Sequence, residues 1–376
     1  MSHIQVNLNK MKNHESDLPR VWLLLGDKLG DNTQVRIIAE ALGLPYEIKR
    51  IVPRKKYIFG KPRFRPTLRH LDMDRSDILK PPWPELVMTI GRRPAMAALW
   101  VKRQSKGVTK VVLIGRPRRG IRNYALVIVP PQYIVPKWDN IISLDYPLVR
   151  RDQKEIEKHV CEWRDKLQTM TRPITAVFVG GPTKPFLFDE HVARDISRQV
   201  TRFCCEGSIF VVTSRRTPKE VADALQDSLN GRALFYRWGD PESGNPYIAL
   251  LGSADRFVVT GDSISMMTEV ACVGKPLFIY PLPSKTDTYS HLRKYVDDIL
   301  SSNRKTGERR FIYDLIEKYL YRPGYFGYMR DITIVHDKFI RAGYAAVLGD
   351  DIKGSAGKLE QDLGTVVQRL RVLMEC

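Results

Sequence analysis

The stretch RFVVTGDSISMMTEVACVGKPLFIY, residues 256–280, reads as one complete unit of alternating structure. Arg256 to Thr260 is a short apolar run, of the length and β-branched content expected for a strand buried on both faces of a parallel sheet. Ser265 to Val273 then carries apolar residues at helical spacing, with Asp262 or Ser263 placed to cap the helix. Gly274 ends it, since glycine accepts the left-handed conformation, and Pro276 cannot continue it. The next strand runs from Pro276 to Tyr280. Strand, helix and parallel strand form the repeating element of a doubly wound α/β sheet.

The same alternation extends outward. Strands are expected at Ile174 to Gly180, Ser208 to Thr213 and Arg232 to Trp238, with helices near Glu190 to Cys204 and Pro218 to Leu229. Thr217-Pro218-Lys219-Glu220 has the spelling of a capping box with proline at the first helical position. Toward the N-terminus, Val21 to Leu25, Glu85 to Gly91, Lys110 to Gly115, Tyr124 to Pro130 and Ile141 to Leu144 read as buried strands, with helices starting near Val35 and Ala95. A charged helix from Gln153 to Gln168 closes this half, and the pattern restarts near Thr171. A chain of 376 residues exceeds one hydrophobic core. The expectation is a polar leader (1–20), a first domain (21–170), a second (171–345) and a helical tail (346–376). The fold class is α/β, with two Rossmann-like domains facing each other across a cleft.

The composition narrows the function classes. Hydrophobic residues at 43% and charged residues at 27% indicate a packed globular protein. No run reaches the ~18–20 apolar residues that span a bilayer, and residues 1–20 lack the apolar core of a secretory signal. Five cysteines at unpatterned spacings fit free thiols in a reducing cytosol. The net charge is +19, and its distribution is uneven: residues 1–165 hold 32 Lys+Arg against 17 Asp+Glu, the remainder 29 against 25. Between Lys49 and Arg69 nine basic residues alternate with Tyr57, Phe59 and Phe64 without an acid, in what reads as an exposed irregular insertion. Arg54, Lys55, Lys56, Lys61, Arg63 and Arg65 can dock on an anionic membrane or a phosphorylated acceptor, at about 1 kcal/mol per basic residue near a lipid surface. Nucleic acid is not the expected partner, because no recognition motif accompanies the charge.

Four loops carry candidate chemistry. Gly26-Asp27-Lys28-Leu29-Gly30-Asp31-Asn32-Thr33-Gln34 lies where the first strand passes into the first helix, the place where open α/β sheets bind ligands. Asp27 and Asp31 can cap that helix, or one can act as a general base; Gly26, Gly30, Asn32 and Gln34 complete the loop. Gly180-Gly181-Pro182-Thr183 and Thr213-Ser214-Arg215-Arg216-Thr217 end neighbouring strands and offer amides, hydroxyls and two guanidiniums suited to phosphate. In the fourth, Asp262, Ser263 and Ser265 open a helix whose N-terminus favours an anion, and Glu269 lies among apolar neighbours where a carboxylate needs a partner. Asp72-Met73-Asp74 spells a D-x-D but falls in an irregular, solvent-facing region. The seven histidines show no ligand spacing, so no metal is expected.

At GDKLGDNTQ, PPWPELVMTIGRR, FVGGPTKPFLFDE, VVTSRRTP and NPYIALLGSADRFVVTGDSISMMTEVACVGKPLFIY the chain resembles the elongated-mitochondria family of mitochondrial fission proteins and its bacterial relatives. The resemblance runs from about Val21 to Tyr280. The family looks like a GT-B glycosyltransferase, its second domain similar to those of peptidoglycan N-acetylglucosaminyltransferases and lipopolysaccharide heptosyltransferases. That implies a nucleotide-diphosphate sugar held by the second domain, through Gly180, Gly181, Thr213 to Arg216, Asp262, Ser263, Ser265 and Glu269, with Glu269 on the ribose. It implies an acceptor on the first domain, with Asp31 as base. The expected activity is metal-independent glycosyl transfer to a lipid-linked or cell-envelope glycan at the cytoplasmic membrane face, with no further cofactor. The family's mitochondrial name supports an alternative: a non-catalytic peripheral membrane adaptor that recruits partner proteins.

Overall fold

The computed structural model describes residues 20–59, 63–116, 120–135, 138–150, 152–240, 244–284, 330–352 and 357–375. These form two compact units, one of residues up to 145 together with 362–375, the other of residues 146–284 and 330–361.

Each unit is built on a six-stranded, all-parallel sheet. The first contains β1 (Val21–Leu25), β2 (Tyr46–Arg50), β3 (Leu86–Ile90), β4 (Lys110–Ile114), β5 (Leu126–Val129) and β6 (Ile141–Ser143), in the order β2-β1-β3-β4-β5-β6. The second contains β7 (Ile174–Val179), β8 (Ser208–Thr213), β9 (Ala233–Tyr236), β10 (Arg256–Thr260), β11 (Leu277–Tyr280) and β12 (Ala345–Val347), in the order β12-β11-β10-β7-β8-β9. In the second sheet the chain builds outward from β7 through β9, then crosses back so that β10 to β12 extend the other side. The reversal falls between β7 and β10, and in the first sheet between β1 and β3. Both units are therefore Rossmann-like, and the carboxyl ends of those two strands are where sheets of this kind bind ligands.

The helices are α1 (Leu29–Leu42), α2 (Lys56–Phe59), α3 (Arg92–Gln104), α4 (Gln153–Glu162), α5 (Arg164–Gln168), α6 (Glu190–Phe203), α7 (Lys219–Ser228), α8 (Tyr247–Ser253), α9 (Ile264–Val273), α10 (Thr333–Arg341) and α11 (Gly364–Glu375). The central strands are apolar throughout because both faces are covered. In β7, Ile174, Ala176 and Phe178 enter one core layer of the second unit, while Val177 and Val179 enter the opposite layer. Phe210 and Val212 of β8, and Phe257 and Val259 of β10, join the Phe178 side.

Several sequence expectations shift. The helix over 153–168 does not close the first unit: it breaks into α4 and α5, and α4 packs on α8 in the second. Gly252 makes that contact possible, since a Cβ there would lie 2.5 Å from Val160 and 2.7 Å from Ile156. The boundary expected at 345/346 cuts a strand, because β12 pairs with β11. Of the helical tail expected over 346–376, the helix itself begins only at Gly364: the Asp362 carboxylate accepts the Gly364 amide (2.7 Å) at the entry to α11, which packs on α1 in the first unit. The capping box at Thr217 does not form. Thr217 Oγ1 instead accepts the Ser214 amide and donates to the Gly180 carbonyl, so Pro218 becomes the cap of α7. Gly274 ends α9 in the left-handed conformation, as its position requires.

The second core depends on Phe178, which is fully buried and packs on Tyr247 and Phe257 at centroid distances of 4.5 and 5.4 Å. Phe178→Ala should cost the second unit about 3–5 kcal/mol in chemical denaturation; a loss below about 1 kcal/mol would contradict this packing.

Candidate functional site

In the second unit the crevice between β7 and β10 is closed by one hydrogen-bond network centred on Asp262. Its side chain is 0% exposed. One oxygen, Oδ2, accepts the Gly181 amide (2.9 Å), Arg216 Nη2 (2.9 Å) and Ser263 Oγ (3.2 Å). The other, Oδ1, accepts Thr260 Oγ1 (2.8 Å), which itself receives the Gly180 amide (2.8 Å). A carboxylate with four donors is well compensated for its burial. The packing admits only glycine opposite it: a Cβ on Gly180 would stand 2.1 Å from Ser263 Oγ and 2.2 Å from Asp262 Oδ2, and one on Gly181 would stand 2.4 Å from the Arg216 carbonyl.

Gly180 and Gly181 therefore hold this loop together, and their amides are not offered to a phosphate. Thr213 Oγ1 is also engaged: it accepts the Trp238 amide (2.9 Å) and ties β8 to the segment after β9. Ser214 Oγ donates to the Gly180 carbonyl (2.9 Å). What remains for an anion is more compact. Arg216 is half exposed, and its guanidinium is held at the N-terminus of α9 by Asp262, by Ser263 Oγ (3.2 Å) and by Thr183 Oγ1 (2.8 Å). Ser263 occupies the cap position of α9 without a side-chain cap bond, since its hydroxyl turns to Asp262. Arg215 and Ser265 are exposed, and Arg215 has no partner among the described residues.

Glu269 lies on α9 and is partly buried. Burial pushes its carboxyl up to about 7, and a hydrogen bond from Tyr247 OH opposes that rise. Tyr247, stacked on Phe178, was not foreseen from sequence, since only its place in the fold pairs it with Glu269. Nor was His336 of α10, whose ring Nε2 lies 2.7 Å from the Gly261 carbonyl. A carbonyl only accepts, so that nitrogen carries the proton. Thr183 and Thr260 lay inside the quoted motifs, but nothing in their spelling indicated that they would brace Arg216 and Gly180.

In the first unit, the loop after β1 leads into α1 with Lys28 at the cap position and no side-chain cap. Neither Asp27 nor Asp31 caps the helix. Asp31 falls in its first turn, where burial raises its pKa, Lys28 opposes that rise and Asp27 adds to it. Asp27 is exposed. Asn32 Nδ2 donates to the Gly26 carbonyl (2.9 Å), Gly26 lies against Pro94 of α3, and Gly30 faces open space. Gln34 Oε1 is buried without a donor among the described residues.

Of the basic stretch, Lys49 and Arg50 end β2 and α2 covers Lys56–Phe59, while the other described residues up to Arg69 lie outside named helices and strands. Arg54 Nε donates to the Leu71 carbonyl (2.8 Å), while Lys55, Lys56, Arg63 and Arg65 are exposed. Lys61 lies outside the described residues. Among the described residues no helix is long and apolar enough to cross a membrane, and no group of three or more His, Cys, Asp or Glu side chains is placed to hold a metal.

The profile of the family described as Mitochondrial fission ELM1 matches residues 30–304. An uncharacterized protein of Rickettsia prowazekii, RP120, is 26% identical over 341 residues, covering 81% of this chain and 94% of that protein. The Arabidopsis thaliana mitochondrial fission protein ELM1 is 24% identical over 219 residues, covering 52% of this chain and 51% of its own length. Among solved structures, a ugt transferase from Siraitia grosvenorii in complex with UDP is similar with a TM-score of 0.45 and 9% identity, over 95% of this chain and 100% of that one.

The position of Glu269 predicts a pH signature. Between the ordinary carboxylate range and about 7 the folded chain holds a proton that the unfolded chain has released. Its contribution to stability is therefore complete below the unfolded value and lost as pH rises through 7. In Glu269→Gln that loss should vanish, so the variant's denaturation midpoint should gain on the unaltered protein between pH 5 and 8. Parallel curves would contradict a buried, proton-holding carboxyl.

Proposed function

The chain belongs to the mitochondrial fission ELM1 family, and we propose that it is a metal-independent glycosyltransferase whose second unit binds a nucleoside-diphosphate sugar. The observation that carries this reading is the half-exposed Arg216 guanidinium, fixed by Asp262, Ser263 and Thr183 at the N-terminus of a ten-residue helix. A fixed cation beside unpaired helix amides is a preorganised diphosphate site. Exposed Arg215 adds a second, adaptable cation as charge develops on the departing diphosphate. Ionised, Glu269 would take the two ribose hydroxyls.

In the first unit, Asp31 is the proposed base. Its raised pKa, caused by burial, brings it closer to the working range of a general base than an exposed aspartate. The acceptor proposed is a lipid-linked or phosphorylated glycan at an anionic membrane surface, where Lys55, Lys56, Arg63 and Arg65 would dock. Two observations favour a second reading, that of a peripheral membrane adaptor: the Gly180 and Gly181 amides are already taken, and the family is described by mitochondrial fission.

Calorimetric titration with UDP, GDP, ADP and CMP sugars separates the two. The transferase reading expects one donor to bind, Arg215→Ala to weaken it about tenfold, and Asp31→Asn to abolish transfer with donor affinity unchanged. Silence across the panel, with retained binding to anionic vesicles, would reject the transferase and leave the adaptor.

A further inference from the structure

Six tryptophans occur in the chain, and five of them are buried or half-buried. Trp22, Trp83, Trp100 and Trp138 pack on the core of the first unit, and Trp163 packs on that of the second. Trp238 differs, being 51% exposed and a member of neither core layer of the second unit. One exposed apolar side chain is ordinary on a protein surface. What sets Trp238 apart is how firmly its backbone is held, and where.

The Trp238 amide donates to Thr213 Oγ1 (2.9 Å) at the end of β8. A turn closes around it: the Asp240 amide donates to the Arg237 carbonyl (3.2 Å), and Gly239 takes φ +87° at the third position, where glycine is favoured. Arg237 is itself anchored to α7, its guanidinium bonding Gln226 Oε1 (2.9 Å) and Asp223. Trp238 is thus an exposed ring on a braced turn. Such a ring offers a large flat contact and loses little freedom on binding.

The turn stands at the end of the sheet that carries the proposed diphosphate site. Thr213, which holds the Trp238 amide, is followed directly by Ser214, Arg215 and Arg216. Thr183, after β7, holds the Arg216 guanidinium (2.8 Å), and β9 stands two places from β7 in the sheet. Two interstrand spacings are roughly 10 Å, the scale on which a ribose separates a diphosphate from its base. After the turn, α8 brings Tyr247 to Glu269, the residue proposed for the ribose hydroxyls.

We propose that Trp238 is the platform on which the base of a nucleoside diphosphate stacks, an inference that rests on the nucleotide reading of the second unit. The indole covers one face of the base, Arg215 and Arg216 hold the diphosphate, and Glu269 takes the ribose between them. Every base has a π-face, so Trp238 separates nucleotides from bare pyrophosphate more than it separates one base from another.

Calorimetric titration of the full chain with UDP, GDP, ADP and CDP, and with inorganic pyrophosphate, is the test. At least one nucleoside diphosphate should bind more tightly than pyrophosphate. Trp238→Ala should weaken that nucleotide about tenfold and leave pyrophosphate unchanged, and Trp238→Phe should restore most of the loss. Arg215→Ala should weaken both ligands. Both Trp238 variants alter only a side chain, so the amide bond to Thr213 persists in each. Unchanged nucleotide affinity in Trp238→Ala, or an equal loss for pyrophosphate, would overturn the proposal while leaving the nucleotide site standing. Unchanged nucleotide affinity together with weakened binding to phosphatidylserine vesicles would assign the ring to a lipid surface instead. Silence of the unaltered chain toward every nucleotide would reject the nucleotide reading itself, and this inference with it.

Discussion

The buried carboxylate of Asp262 is the interaction on which the loops at the carboxyl end of the second sheet depend. Four donors from three separate strand ends converge on it: Gly181 after β7, Arg216 after β8, and Thr260 and Ser263 around the end of β10. An unpaired carboxylate at that depth would cost several kcal/mol, so the three loops adopt the positions that satisfy it. Glycine at 180 and 181 follows from the same constraint, because any Cβ there would enter the network. His336 extends the bracing from α10 through the Gly261 carbonyl.

This constraint also redistributes the roles within the crevice. Amides that would cradle a phosphate in a glycine-rich loop are here occupied, so under the proposed function anion recognition would pass to guanidinium groups and to the amino end of α9. Fixing Arg216 in advance removes part of the ordering cost that a mobile arginine would incur on binding. Glu269 sits on the same helix with its proton held near neutrality by burial, and Phe178 supports its partner Tyr247 from the core. The core packing of β7 and the chemistry of the edge are therefore linked through one aromatic contact.

The parallel strands and their helices were legible because burial on both faces leaves uninterrupted apolar runs, as in Ile174–Val179 and Arg256–Thr260. Of the four edge strands, β6 and β9 were expected, while two escaped for the converse reason: β2 reads Tyr-Glu-Ile-Lys-Arg and is mostly exposed, and β12 has three residues. The loops of the site were visible as glycine and hydroxyl clusters at strand ends. Their internal wiring was not, because Asp262, Arg216 and Thr183 meet only after the sheet has ordered its strands, across 33 to 46 residues of chain. Thr217 shows the same limit, since the Gly180 carbonyl just after β7, 37 residues away in the chain, draws its hydroxyl away from the helix it would cap.

Hydrogen exchange of the full chain, with and without a saturating nucleoside-diphosphate sugar, tests the central claim most directly. The account predicts added protection at Arg215–Arg216 and across Ser263–Glu269, while Gly180 and Gly181, already bonded in the free protein, exchange slowly in both states. Protection that appears at Gly180–Gly181 alone, or nowhere in the second unit, would contradict it.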